Sequence, residues 1–209
     1  MTAGPSLPQA IAGIIVPRDD VSTATWRWAS RWLPRYLLAH SVRSYCWAVA
    51  IAAREGWAFD RQVLWTASLM HDLGLTRIAR NAACFEVEGA DIARRFLARA
   101  GMDPAAAERA ATAIVLHMRP GVTLDDGVES VLLDRATSVD VRGDGYELVD
   151  HFRAAVMTAF PRGDFDRHFL RAIEREVAIR PGCQSTRLLH ESDLAGWMAH
   201  SPWRPTNRP

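Results

Sequence analysis

Lysine is missing from this chain: all 25 of its basic residues are arginine. That excludes a Schiff-base lysine, a phosphate-binding P-loop lysine and a lysine general base. No GxxxxGKS or GxxxxGKT, GxGxxG, GxSxG, HExxH or paired CxxC pattern occurs either. Surplus charge is also missing, since 25 basic and 24 acidic residues leave a net +1. Non-specific binding to nucleic acid or to a membrane surface wants a large basic excess, so neither partner is expected. No run approaches the roughly 20 apolar residues that cross a bilayer. The opening stretch MTAGPSLPQAIAGIIVPRDD has no basic n-region, and its apolar part is too short for a secretory signal. Cysteine is scarce: Cys46, Cys84 and Cys183 are odd in number and widely spaced. That usage suits reduced thiols, and the expected location is the cytoplasm.

What is present suits one domain with a sizeable core, at 209 residues of which 49% are hydrophobic. Apolar residues recur at i, i+3, i+4 and i+7 in one segment after another, separated by short breakers. This predicts helices over 22–33, 36–54, 60–71, 88–100, 103–117, 128–141, 146–160 and from 164 or 166 to about 179. Gly56, Gly101 and Gly143 are placed to end helices. Asp60 reads as an N-cap, and Asp103-Pro104 as a cap followed by proline at the first helical position. No alternating strand pattern is visible. The expectation is an all-α, single-domain helical bundle over 21–200, with flexible segments at 1–20 and 201–209.

Two polar residues, His71-Asp72, close the hydrophobic run VLWTASLM. A buried polar pair must find partners or lose stability. Successive side chains on a regular helix diverge by about 100°, but at a helix end before Gly74 both could turn toward one metal ion. His40 lies on an otherwise apolar stripe with Ser44 and Trp47. His117 ends a helix below Ala110, Ala113 and Ile114, and Asp140 shares a face with Leu133 and Ala136. Each alone also fits a structural role. Together, five potential ligands pointing inward from four helices are best explained by a cation.

The order His40, His71-Asp72, Asp140 resembles the HD superfamily, all-helical metal-dependent hydrolases, over roughly residues 36–160. HSVRSY, SLMHDLGLT, CFEVEGAD, IVLH, SVDV and AAVMTAFPR are similar to its cyanamide hydratase branch, whose members hydrate small nitrile-type substrates at one zinc ion. The resemblance implies an HD-type fold, with metal ligands His40, His71, Asp72 and Asp140. It also implies one divalent ion, Zn2+ first, with Fe2+ or Mn2+ as other fits to these donors. Dinuclear relatives carry a histidine where this chain has Phe85, so a second ion loses a donor. His117 and Glu86 are then the candidate catalytic groups, delivering a proton to nitrogen after a metal-activated water attacks the C≡N carbon. Glu86 and Glu88 also fit solvated carboxylates at a helix N-terminus. Arg43 and Thr76 are the candidates for orienting the ligands.

Three readings follow. The first is a hydratase or hydrolase acting on a small nitrile-like molecule and giving urea or an amide. The second is a phosphohydrolase on a nucleotide or phosphate monoester, for which Arg77, Arg80 and Arg119 follow the site motifs. The third is a non-enzymatic helical module holding a metal. Exposed tryptophans would suit a homodimer, whereas those at 26, 28 and 32 are expected to pack an N-terminal helix, with a pocket wall as the other reading.

Overall fold

A computed structural model of the chain describes residues 6–80, 83–143, 148 and 150–203. It is all-α, as expected. In chain order the helices are α1 (Asp20–Trp32), α2 (Arg35–Glu55), α3 (Arg61–Met70), α4 (Phe85–Arg99), α5 (Pro104–Leu116), α6 (Val128–Arg142), α7 (Asp150–Ala159), α8 (Phe165–Ile179), α9 (Gln184–His190) and α10 (Leu194–Ala199). Their ends follow the expected chemistry. Asp60 accepts the N–H groups of Gln62 and Val63, and Asp103 accepts that of Ala106 ahead of α5. Gly56 and Gly143 end α2 and α6 in the left-handed conformation, at φ 70° and 76°. Helix α4 begins three residues earlier than periodicity suggested. The expected start of the seventh helix, Tyr146, lies outside the described residues.

Helix α2 runs through the centre, packed on α3 and α6, while α5 touches α3, α4 and α6. Helix α1 lies on α3, where Trp26 stacks on Trp65 at 6.2 Å. Helices α8, α9 and α10 pack on one another and close one end of the bundle.

Three expectations need correction. The N-terminal segment holds a two-residue antiparallel hairpin, β1 (Ala10–Ile11) and β2 (Ile14–Ile15). From residue 6 onward it is therefore not a loose end, because Ile11 and Val16 are buried in the core. Near the other end, Ser201 is buried and the indole of Trp203 donates to the Val139 carbonyl at 3.0 Å, so 201–203 are docked too. Cys84 and Cys183 form a disulfide, which leaves Cys46 as the buried free thiol. Spacing along the chain gave no hint of this pairing, because the two half-cystines sit at the starts of α4 and α9 and meet only once α8 has folded back. The tryptophans at 26 and 28 pack the first helix as expected: Trp26 is buried, and half-buried Trp28 stacks on Phe96 at 4.6 Å. No tryptophan is among the large exposed apolar side chains of the described residues.

Candidate metal centre

Helix α3 ends at Met70, and its cap His71 is still helical at φ −61°, ψ −33°. Asp72 then departs to φ −98°, ψ 10°, and a 3-10 turn over Leu73–Leu75 follows. This break lets two adjacent side chains face one point. Gly74 permits the turn to seat against α4, since a Cβ there would overlap the backbone of Phe85. His40 approaches from α2. Ligand atoms of His40, His71 and Asp72 lie within 4.8 Å of one another, all three side chains are buried, and no other such group of three or more occurs among the described residues.

The tautomers follow from the neighbours. His40 Nδ1 lies 2.7 Å from Asp140 Oδ2, His71 Nδ1 2.8 Å from the Ser68 carbonyl and His117 Nδ1 2.6 Å from the Ile114 carbonyl. Carbonyls and carboxylates only accept, so each Nδ1 carries the proton and each neutral ring keeps its lone pair on Nε2. His71 and His117 use one local device. Each caps its helix and satisfies a carbonyl three residues back that the helix end leaves open. The negative ends of the α3 and α5 dipoles therefore point toward the cluster, which favours a cation.

His71 Nε2 and Asp72 Oδ2 face each other at 3.2 Å, and neither has a hydrogen-bond partner among the described residues. His40 Nε2 lies 3.7 Å from the same carboxylate oxygen. Two imidazole lone pairs and a carboxylate form a donor set for a divalent ion, and an ion between them would satisfy both orphaned atoms. Burial would raise the Asp72 carboxyl, but His71 outweighs it and holds it at about 2. Burial would lower His71, and Asp72 raises it instead. Burial, helped by neighbouring His71, holds His117 down to about 4.

Asp140 is placed otherwise than expected. Its carboxylate receives His40 Nδ1–H and Arg43 Nη2–H on Oδ2, both at 2.7 Å. Arg43 Nε–H and Trp47 Nε1–H reach Oδ1, both at 2.8 Å. Burial opposes ionisation, yet Arg43 and His40 hold Asp140 well below the usual carboxylate range. It stands behind His40, on the side of the imidazole away from Asp72, and outside the three-residue cluster. Arg43, expected to orient a ligand, contacts Asp140 behind His40. Thr76 instead closes its own turn, donating to the Leu73 carbonyl at 2.7 Å.

A cavity of about 290 Å3 opens onto the cluster. Phe85, Met118, Val141, Phe169, Leu188 and Trp197 supply its apolar wall, and Thr137, Ser138, Asp134, Arg119, Arg142 and Arg187 its polar one. His117 lines it, with its ring 4.9 Å from that of His71 and 5.7 Å from that of Phe85. Glu86 does not line it. Glu86 and Glu88 are both buried, contrary to the solvated alternative, and burial raises the Glu86 carboxyl. Arg77 lies over Trp32 at 5.8 Å and is no part of the cavity. Among the lining residues missed in the sequence are Asp134, Arg142, Arg187 and Trp197. For α6 a signal existed: 134, 137, 138, 141 and 142 share one face at helical spacing. For α9 and α10 none did.

An all-helical bundle with a buried histidine–aspartate cluster at its centre is the architecture of a metal-binding domain. The HD domain pattern matches residues 37–142, half of the chain, and the protein belongs to the HD domain family. Members of this family bind divalent metals. Two Saccharomyces cerevisiae proteins, the cyanamide hydratases DDI2 and DDI3, are each 25% identical to it over 181 residues, covering 83% of this chain and 80% of theirs. The family and these relatives support an enzyme acting on a small molecule. Among the described residues no helix is long and apolar enough to cross a membrane.

Proposed function

We propose that the protein is a metal-dependent hydratase for a nitrile-like small molecule of the cyanamide type. It uses one divalent ion, zinc by its donors, held by His40, His71 and Asp72. What carries this reading is the His71 Nε2–Asp72 Oδ2 pair, buried, 3.2 Å apart and without other partners. Asp140 is a positioning residue in this scheme, because four N–H donors already occupy its carboxylate. His117 is assigned as a further nitrogen donor to the site. Its Nδ1 proton is committed to Ile114, so it presents a lone pair rather than a proton to the cavity. Glu86, outside the cavity, receives no catalytic role.

A bound divalent cation supplies a nucleophile at neutral pH by lowering the pKa of water toward about 7. The chain's part is to orient the three imidazoles through their Nδ1 partners and to exclude bulk water with the Phe85–Phe169 side of the cavity. The sum is R–C≡N + H2O → R–C(=O)NH2. Both hydrogens of the water end on the nitrile nitrogen, so no outside acid is consumed, and cyanamide gives urea. The related yeast hydratases support this substrate class.

A second reading, hydrolysis of a phosphate monoester, is favoured by one observation: Arg119, Arg142 and Arg187 line the cavity. One experiment separates them. Metal stoichiometry by mass spectrometry is measured alongside urea or amide release from nitriles and phosphate release from monoesters. About one ion per chain with turnover of a nitrile, both lost in His71→Ala and Asp72→Ala, is the expected result. Phosphate release without nitrile turnover by the zinc-loaded protein would replace the first reading with the second.

A further inference from the structure

Three residues on one face of α2 converge on a single carboxylate. His40, Arg43 and Trp47 follow one another at helical spacing, and all of them donate to Asp140. Trp47 is itself fully buried, and part of what covers its ring comes from the far end of the chain. The half-buried indole of Trp203 lies parallel to it, with centroids 5.5 Å apart and planes within 4° of each other, while Phe152 meets it edge-on at 5.8 Å. Trp203 is pinned in turn. Its Nε1 donates at 3.0 Å to the carbonyl of Val139, the residue before Asp140, and the Arg153 guanidinium lies over its ring at 5.6 Å. Gly143 leaves room for this docking, since a Cβ there would overlap the Pro202 ring. Contacts therefore run without a break from residue 203 to the metal cluster: Trp203 on Trp47, Trp47 to Asp140, Asp140 to His40.

We infer that Trp203 is a positioning residue of the metal centre: it holds the Trp47 indole in the plane from which it bonds Asp140, and so fixes the orientation of His40. This rests on the metal-centre reading above and extends it by a layer that the HD domain pattern, ending at residue 142, does not contain. The 5.5 Å separation falls within the range of about 4.5–7 Å at which aromatic pairs attract beyond their buried area. With the Trp203 ring gone, water reaches Trp47 and competes for its N–H. Asp140 Oδ1 then keeps only Arg43, and the carboxylate that sets the His40 tautomer is less firmly held.

The test measures the Zn2+ affinity of the full chain by competition with a chromophoric chelator, beside the melting temperature and the visible spectrum of the Co2+-loaded protein. Groups bonded directly to a ligand shift metal affinity by about 10–100-fold, and Trp203 acts two contacts further out, so Trp203→Ala should weaken it by about three- to tenfold and move the Co2+ bands. Trp203→Phe keeps a stacking ring and should recover most of the loss. In Trp47→Phe, which lacks the N–H to Asp140, Trp203→Ala should cost nothing further, the non-additivity of two residues that act through one bond. Trp203→Leu keeps apolar bulk without a stacking plane and takes the place of the alanine variant if that one folds poorly. Trp28→Ala removes the stack on Phe96, outside the cavity lining, and should lower the melting temperature without changing affinity or spectrum. Wild-type affinity and spectrum in folded Trp203→Ala and Trp203→Leu would overturn the inference and leave the metal centre in place. So would an equal loss in Trp28→Ala, which would make the effect one of general loosening. A wild-type protein that takes up no Zn2+ would overturn the metal-centre reading, and this inference with it.

Discussion

Asp140 takes the Nδ1 proton of His40 at 2.7 Å, while the opposite nitrogen of the same ring faces Asp72 at 3.7 Å. The imidazole therefore separates two carboxylates, one that sets its tautomer and one that would share its metal ion. Asp140 also neutralises Arg43, itself fully buried. The variant Asp140→Asn keeps the shape but leaves a buried guanidinium uncompensated, a change that costs about 3–5 kcal/mol. Chelator competition on folded protein should show metal affinity weakened by roughly 10–100-fold, as for other groups that orient a ligand. His71→Ala should lose the metal outright. If Asp140→Asn matched His71→Ala in metal content while remaining folded, Asp140 would be a ligand after all.

Much of this site was legible before folding because its residues carry local signals. His71-Asp72 interrupts a continuous apolar run, His117 shares a stripe with alanine and isoleucine, and Asp140 shares one with alanine and leucine. A periodicity argument places such groups inside, but it does not say which of them meet. Whether Asp140 faces an ion or the rear of His40 depends on the crossing of α2 and α6, and on Arg43 and Trp47 claiming its oxygens. The far wall of the cavity has the same character. Arg187 and Trp197 come from short helices whose placement depends on α8 folding back and on a disulfide spanning 99 residues.

That disulfide joins the start of α4, one residue before Phe85, to the start of α9, which carries Arg187. Closing a loop of this length restricts the unfolded chain by an amount worth up to about 4.7 kcal/mol. For a domain of this size the melting temperature should fall by on the order of 10 °C when the bridge is reduced or replaced in Cys84→Ser/Cys183→Ser. Thermal unfolding with and without dithiothreitol checks this, since the double variant should be indifferent to the reductant. A wild-type protein equally indifferent, with both thiols free by alkylation, would show that the bridge does not form.

Gly74 is held to glycine by contact rather than by backbone angle. Its φ is not positive, but a Cβ would overlap the Phe85 carbonyl. Since the obstacle is backbone, relief requires α4 to move away from the turn that carries Asp72. Gly74→Ala should destabilise the fold by about 1–3 kcal/mol, the usual cost of overpacking. Because Phe85 and Asp72 both line the cavity, metal affinity should fall in the same variant. An unchanged melting temperature with unchanged metal content would mean that α4 is not seated as described.

Asp134 provides a pH-dependent signature away from the metal cluster. Burial pushes its carboxyl up to about 6, against the opposing pull of Arg142, Arg135 and Arg187. A carboxyl raised in the folded state holds its proton at a pH where the unfolded chain has already released it. Between about pH 4 and pH 6 the folded state thus binds more protons, and stability from this group declines as pH rises. Above pH 6 both states are ionised and the loss is complete. Asp134→Asn cannot ionise, so its stability relative to wild type should grow from pH 4 to pH 6 and then stay level. Paired urea unfolding curves across this range measure the difference. A gap independent of pH would show that the Asp134 carboxyl is not raised and that the three arginines already hold it ionised.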